Sequence, residues 1–134
     1  MSKIKHINPS GIKDTSDYGF TQAVVVPSGS ELVYIAGQGG ADENGNYGSF
    51  TEQMDRAFAS LHKILTAVGA TPEDVVKITI LSVEHNEEKL GLISAKRKSF
   101  WSDCKPASTL IPVPRLASEG MLFEIDAIAI VSNS

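Results

Sequence analysis

A chain of 134 residues with 42% hydrophobic and 21% charged residues has the balance of a globular protein and the length for one sizeable core. A formal net charge of −4 argues against a broad phosphate-binding surface, and one cysteine, Cys104, excludes an intrachain disulfide framework. No apolar run approaches the ~20 residues that span a bilayer, and the polar start MSKIKHINPSG lacks a secretory apolar segment, so one domain over residues 1–134 of a cytoplasmic protein is expected.

In chain order, TQAVVV and ELVYIAG are β-rich runs separated by the turn signal PSGS, which predicts a hairpin of residues 21–26 with residues 32–36. GQGGADENGNYG reads as a loop with a tight turn at Asn44-Gly45. Within SFTEQMDRAFASLHKILTAVGA, Phe50, Met54, Ala57, Phe58, Leu61, Ile64, Leu65 and Val68 recur at helical spacing and form one apolar stripe. Ser49 with Glu52 fits a capping box at its start, and Gly69 fits a stop at its end. DVVKITILSVE reads as a strand, and EEKLGLISAKRKSFW as a second, weaker amphipathic helix carrying Leu90, Ile93, Arg97, Phe100 and Trp101. ASTLIPVPRL and MLFEIDAIAIV are two strands around a turn at residues 117–120. Pro112 and Pro114 lack amide donors, which places the first of them at a sheet edge or a bulge.

The order β-β-α-β-α-β-β implies an α+β architecture, a mixed sheet with two helices on one face. Period two in the last strand puts Glu124 and Asp126 on one face with Leu122 and Ile128, leaving Phe123, Ile125, Ala127, Ala129 and Val131 toward the helices. Two helices cannot cover the second face, so oligomerisation through it is expected.

Glu124 and Asp126 are acids within an otherwise apolar strand. Carboxylates so placed suit general acid/base work; alternatively one is solvated and the other ion-paired across an interface. Arg115 can hold a carboxylate in bidentate fashion or pair with a nearby acid. Ser108 and Thr109 can orient a ligand or water, but no base adjoins them and there is no G-x-S-x-G elbow. His6, His62 and His85 have no partner at metal-ligand spacing, so no metal is expected, and His62 in LHKIL reads as a helix-surface residue. GQGG at a strand end can turn backbone amides toward an anion or simply make a turn. KRK at residues 96–98 reads as a solvated helix face.

FTQAVVV, AGQGG, EQMDRAFASLHKILTAVGATPEDVVKITI and KPASTLIPVPRL…FEIDAIAI together resemble the reactive intermediate deaminase (Rid, YjgF) family over nearly the whole chain. The resemblance implies a chorismate-mutase-like α+β fold and a homotrimer whose intersubunit clefts bind small carboxylates. It implies hydrolysis of enamines and imines such as 2-aminoacrylate to 2-keto acids and ammonia, with no metal or cofactor. Some members are described as endoribonucleases or translation inhibitors. Here the acidic charge, the missing His pair and the lack of a basic-aromatic stripe oppose a nucleic-acid partner.

In deaminating members the penultimate strand begins Pro-Ala-Arg-Ser, and that arginine grips the substrate carboxylate. Pro106 and Ala107 match, but Ser108 stands at the arginine position; Thr109 keeps a hydroxyl and Leu110 occupies a site that is often cysteine. Arg115 matches a second family arginine that does not grip the substrate. Glu124 matches the acid that positions the attacking water, and Phe20 falls where many members have tyrosine. The resemblance thus implies Glu124 as the catalytic residue, with Phe20, Gly37, Gln38, Gly39, Ser108, Thr109, Leu110 and Arg115 around the ligand. Losing a charge-assisted arginine contact removes about 1.5–3 kcal/mol, roughly ten- to 150-fold in carboxylate affinity. Two expectations follow: an enamine or imine hydrolase with shifted preference, or a non-catalytic trimeric metabolite-binding module.

Overall fold

In the computed structural model, which describes residues 4–132, the elements run β1 (Lys5–Ile7), β2 (Ala23–Val25), β3 (Ser30–Gln38), α1 (Phe50–Ala67), β4 (Val75–Val83), α2 (Glu87–Trp101), β5 (Ala107–Val113) and β6 (Phe123–Ser132). Short 3-10 helices at Ser16–Tyr18 and Pro72–Asp74 precede β2 and β4. The capping box at the start of α1 is complete. The Ser49 hydroxyl accepts from the Glu52 amide at 3.2 Å, and the Glu52 carboxylate accepts from the Ser49 amide at 3.0 Å. Gly69, at φ +80°, ends the helix in the left-handed region that favours glycine. Asn86 caps α2 by accepting from the Lys89 amide at 2.8 Å.

The main sheet has the order β3-β6-β4-β5, with β6 antiparallel to both its neighbours and β4 parallel to β5. The crossover through α2 permits that parallel pair. Pro112 lies on the edge strand β5, where a missing amide costs no ladder bond, as the sequence indicates. The expected hairpin does not form. β2 pairs with β1 (His6↔Val24), in a separate two-stranded sheet, while β3 pairs along β6 (Val33↔Ala129, Ile35↔Ala127). The reason is burial: pairing with an inner strand sets Ile35 against the helix-covered core, which a short β2 cannot offer. β1 was not foreseen because three residues are too few for a periodic signal.

Both helices pack on one face of this sheet. Leu61 and Leu65 of α1, Ile93 of α2, Ile78 and Ile80 of β4, and Phe123 and Ile125 of β6 are fully buried together. The Phe58 ring meets Phe100, Trp101 and Phe123 at centroid distances of 5.1, 5.6 and 6.1 Å, which locks α1, α2 and β6 into one core. The opposite face is uncovered and mixed. Register places Tyr34, Ile128, Lys77 and Ala107 in one row, Asp126, Thr79 and Thr109 in the next, and Glu124, Leu81 and Ile111 in a third. On that face Leu32 is 51% exposed, Tyr34 73% and Ile111 44%. Among the described residues, no helix is long and apolar enough to cross a membrane.

Candidate functional site

Glu124 lies one residue into β6, on the open face, beside Leu81 of β4 and against the irregular end of β3. There the β3–β6 register shifts between Ile35 and Gln38, so the strand bends around the acid. Gly37 makes this possible: a Cβ there would overlap the Glu124 carboxylate and stand 2.6 Å from its Cδ. Next along, a Cβ on Gly39 would come within 2.9 Å of the Met121 methyl. Gln38 turns its own amide back to the Ala36 carbonyl at 3.0 Å. The Glu124 carboxylate is half-buried, and among the described residues it has no hydrogen-bond or ion-pair partner. An acid held in place by backbone geometry, with its oxygens free, is suited to binding a water or a ligand proton.

Arg115 occupies the same end of the sheet. It donates to the carbonyls of Leu116 at 3.0 Å and Ala117 at 3.3 Å, not to an acid, so the expected ion pair is absent among the described residues. It lines a shallow cavity of about 330 Å³ with Glu84, Gly120 and Met121.

Strand pleat separates the two hydroxyl residues of β5. Thr109 points to the open face and accepts from Lys77 Nζ at 2.7 Å. Ser108 points to the helix face, where its Oγ accepts from Arg97 Nη1 at 3.0 Å. Leu110 packs against the core from the same face. Arg97 also donates from Nε to the Tyr18 carbonyl at 2.9 Å, and its guanidinium lies 4.9 Å from the Phe20 ring centroid. Only 2% of Arg97 is exposed, which corrects the reading of residues 96–98 as a solvated face: Lys98 alone is exposed, while Lys96 bridges Asp55 at 3.2 Å. Burial pushes the Arg97 guanidinium down to about 10, so it stays charged at neutral pH.

The structure therefore forms two groups and does not merge them. Glu124, Gly37, Gln38 and Gly39 gather at one corner of the sheet, near Arg115. Phe20 and Ser108 gather with Arg97 at the diagonal corner. Ser108 pairs with Ile78, Ile78 pairs with Ala127, and Glu124 lies three residues farther along β6. Two strand spacings across and three residues along put the corners about 14 Å apart, on opposite faces. A ligand of a few atoms cannot touch both within one chain.

Sequence reasoning missed Gln53. It is fully buried, donates from Nε2 to the carbonyls of Gly48 at 3.1 Å and Gly120 at 2.9 Å, and accepts from the Leu122 amide at 2.8 Å. It thereby fixes the turn that feeds β6 and Glu124. The available signal was its position: a polar residue three after Phe50 and four before Ala57 falls within the apolar stripe.

Residues 15–131 match the family described as Endoribonuclease L-PSP. This chain belongs to that family, the Rid or YjgF family. The Rid chain is 32% identical over 114 residues to the 2-iminobutanoate/2-iminopropanoate deaminase of Mus musculus, covering 83% of this chain and 80% of that protein. It is 31% identical over 100 residues to the RutC family protein YjgH of Escherichia coli K12, covering 74% and 75%. Its fold is similar to that of the Rid family protein YyfB of Yersinia pestis, described as of unknown function, with a TM-score of 0.88, 32% identity and coverage of 96% and 98%. The α+β sheet with two helices is thus the Rid fold.

Proposed function

We propose that this Rid chain hydrolyses small imines or enamines to keto compounds and ammonia, in clefts between copies of itself, with a substrate preference altered at the Ser108 corner. The observation that supports this most is Glu124, a carboxylate with no partner among the described residues, set against the Gly37 backbone on an uncovered sheet face. A water held by Glu124 adds to the C=N carbon while the carboxylate takes its proton. The carboxylate returns that proton to nitrogen, then carries the hydroxyl proton of the carbinolamine to the amine as the C–N bond breaks, leaving the carbonyl and ammonia; an enamine first takes a proton on carbon to become the imine. The net change is addition of water and loss of ammonia, so no electron is transferred.

The diagonal separation of the two corners favours a composite site in a homotrimer. One copy supplies Glu124 with Gly37, Gln38, Gly39 and Arg115. The next supplies Phe20 and Ser108, with Leu110 behind them, while Thr109 stands on the open face of the same strand. Leu32, Tyr34 and Ile111 are the apolar groups that such an interface would cover. A second reading, a metabolite-binding module without turnover, is favoured by Ser108 standing where deaminating members carry arginine.

The test is keto-acid formation from 2-aminoacrylate released in situ by a serine or threonine dehydratase, with and without the protein. Acceleration supports the hydrolase. Stabilisation by a keto acid without acceleration, for this and the four-carbon imine, supports the binding module.

A further inference from the structure

We infer that Arg97 is the carboxylate-binding residue of this protein, a guanidinium delivered from α2 and held between Ser108 and Phe20. The inference deepens the proposed function and rests on it for the nature of the ligand, a small imino or keto acid.

An arginine side chain offers five N–H donors. Arg97 uses one on Nε for the Tyr18 carbonyl and one on Nη1 for the Ser108 hydroxyl. The three remaining N–H groups, one on Nη1 and both on Nη2, have no partner among the described residues. No acid faces it either: the ion pairs among the described residues are Arg56–Glu52 and Lys96–Asp55. A cation that is 2% exposed and has no counter-charge is costly. Fastening one carbonyl and one hydroxyl does not require a charge, since a neutral donor does the same. A planar fork of free N–H groups is the partner that a carboxylate matches in bidentate fashion.

The surroundings fit an anion. Phe20 covers one side of the guanidinium, leaving its edge for in-plane contacts. Ser94, one turn earlier on the same face of α2, is 8% exposed, and among the described residues its hydroxyl has no partner. The Ser16–Tyr18 turn and Gly19 close over this face; at Gly19 a Cβ would stand 2.8 Å from the Lys98 amide nitrogen, so only glycine lets the segment approach so closely.

The experiment is calorimetric titration of the full chain with 2-oxobutanoate, which cannot be deaminated, and with its neutral amide. Wild type, Arg97→Lys, Arg97→Met and the double variant Arg97→Met/Ser108→Arg are compared, with circular dichroism melts confirming folding. Wild type is expected to prefer the carboxylate over the amide, and Arg97→Met to lose roughly ten- to 150-fold in carboxylate affinity with amide binding unchanged. Arg97→Lys should retain part of the affinity, and the double variant should recover at least about ten-fold by bringing a guanidinium from the strand side. Should Arg97→Met not fold, the wild-type preference and Arg97→Lys still decide. Equal wild-type affinity for acid and amide overturns the inference, as does keto-acid binding in Arg97→Met within about three-fold of wild type. If an acid of a neighbouring copy takes the free N–H groups instead, Arg97→Met weakens the oligomer and leaves keto-acid binding unchanged, which also overturns it. Failure of the hydrolase reading looks different: the Arg97-dependent carboxylate preference persists while no imine is turned over.

Discussion

Gln53→Leu removes the hydrogen bonds that the Gln53 side chain makes between α1 and the turn entering β6, at nearly constant volume. Three hydrogen bonds are lost: donation to Gly48 and Gly120, and acceptance from the Leu122 amide. Gly48 and Gly120 are exposed, so water can replace the lost donors at a cost of about 0.5 kcal/mol each. The Leu122 amide is half-buried and would be orphaned beside a leucine, costing about 1–3 kcal/mol. The sum is about 2–4 kcal/mol, or roughly 8–16 °C in melting temperature for a chain of this size. Thermal and urea unfolding followed by circular dichroism measures it, with helix content checked below the transition. Gln53→Glu should be worse, because it keeps the acceptor for Leu122 but sets a carboxylate against two carbonyls. A loss below about 0.5 kcal/mol in Gln53→Leu would refute the reasoning, since it would mean the three bonds contribute nothing beyond what water supplies.

Gly37→Ala should cut turnover at least about ten-fold by pushing the Glu124 carboxylate from its seat, while lowering stability by only about 1–3 kcal/mol; keto-acid release and melting are read side by side. Ser49→Ala should cost about 0.5–2 kcal/mol through loss of the α1 cap. The same cap carries a pH dependence: the Ser49 amide, then its hydroxyl and Arg56, hold the Glu52 carboxyl below its ordinary value. Stability from that lowering is present above the ordinary carboxylate range and is lost as pH falls through the lowered value, so Glu52→Gln should flatten the acid limb of a melting-temperature profile. Tyr34→Glu, on the uncovered face, should shift the protein toward monomer in light scattering; an unchanged mass would place the interface elsewhere.

Much of the fold was legible because two periodicities are clean. The stripe from Phe50 to Val68, its cap and its glycine stop define α1 without help. Period two in FEIDAIAI sorts β6 correctly into a helix face and an open face. Pro112 of β5 announces an edge. Strand pairing was not legible in the same way. PSGS looks like a hairpin turn, yet β3 pairs with β6, because partner choice depends on which strand presents a buried face and not on the intervening turn. At the candidate site, family motifs single out Glu124, Gly37 and Ser108, but a motif that sets Ser108 beside Thr109 does not register that the pleat turns them to opposite faces of the sheet. Arg97 was legible on the stripe with Leu90 and Ile93, but its neighbours gave the opposite signal. It sits between two lysines, so local charge suggests solvent, whereas its place four after Ile93 on α2 turns it inward. Gln53 was likewise masked by hydrophobic neighbours whose spacing it shares.

The most direct test of the central claim is single-turnover hydrolysis of an imino acid by Glu124→Gln, measured beside wild type together with keto-acid affinity. Orientation and proton transfer by Glu124 predict a fall in the hydrolysis rate of roughly 10²–10⁴-fold with affinity nearly unchanged. Hydrolysis at the wild-type rate in Glu124→Gln would remove this residue from the chemistry and with it the proposed mechanism.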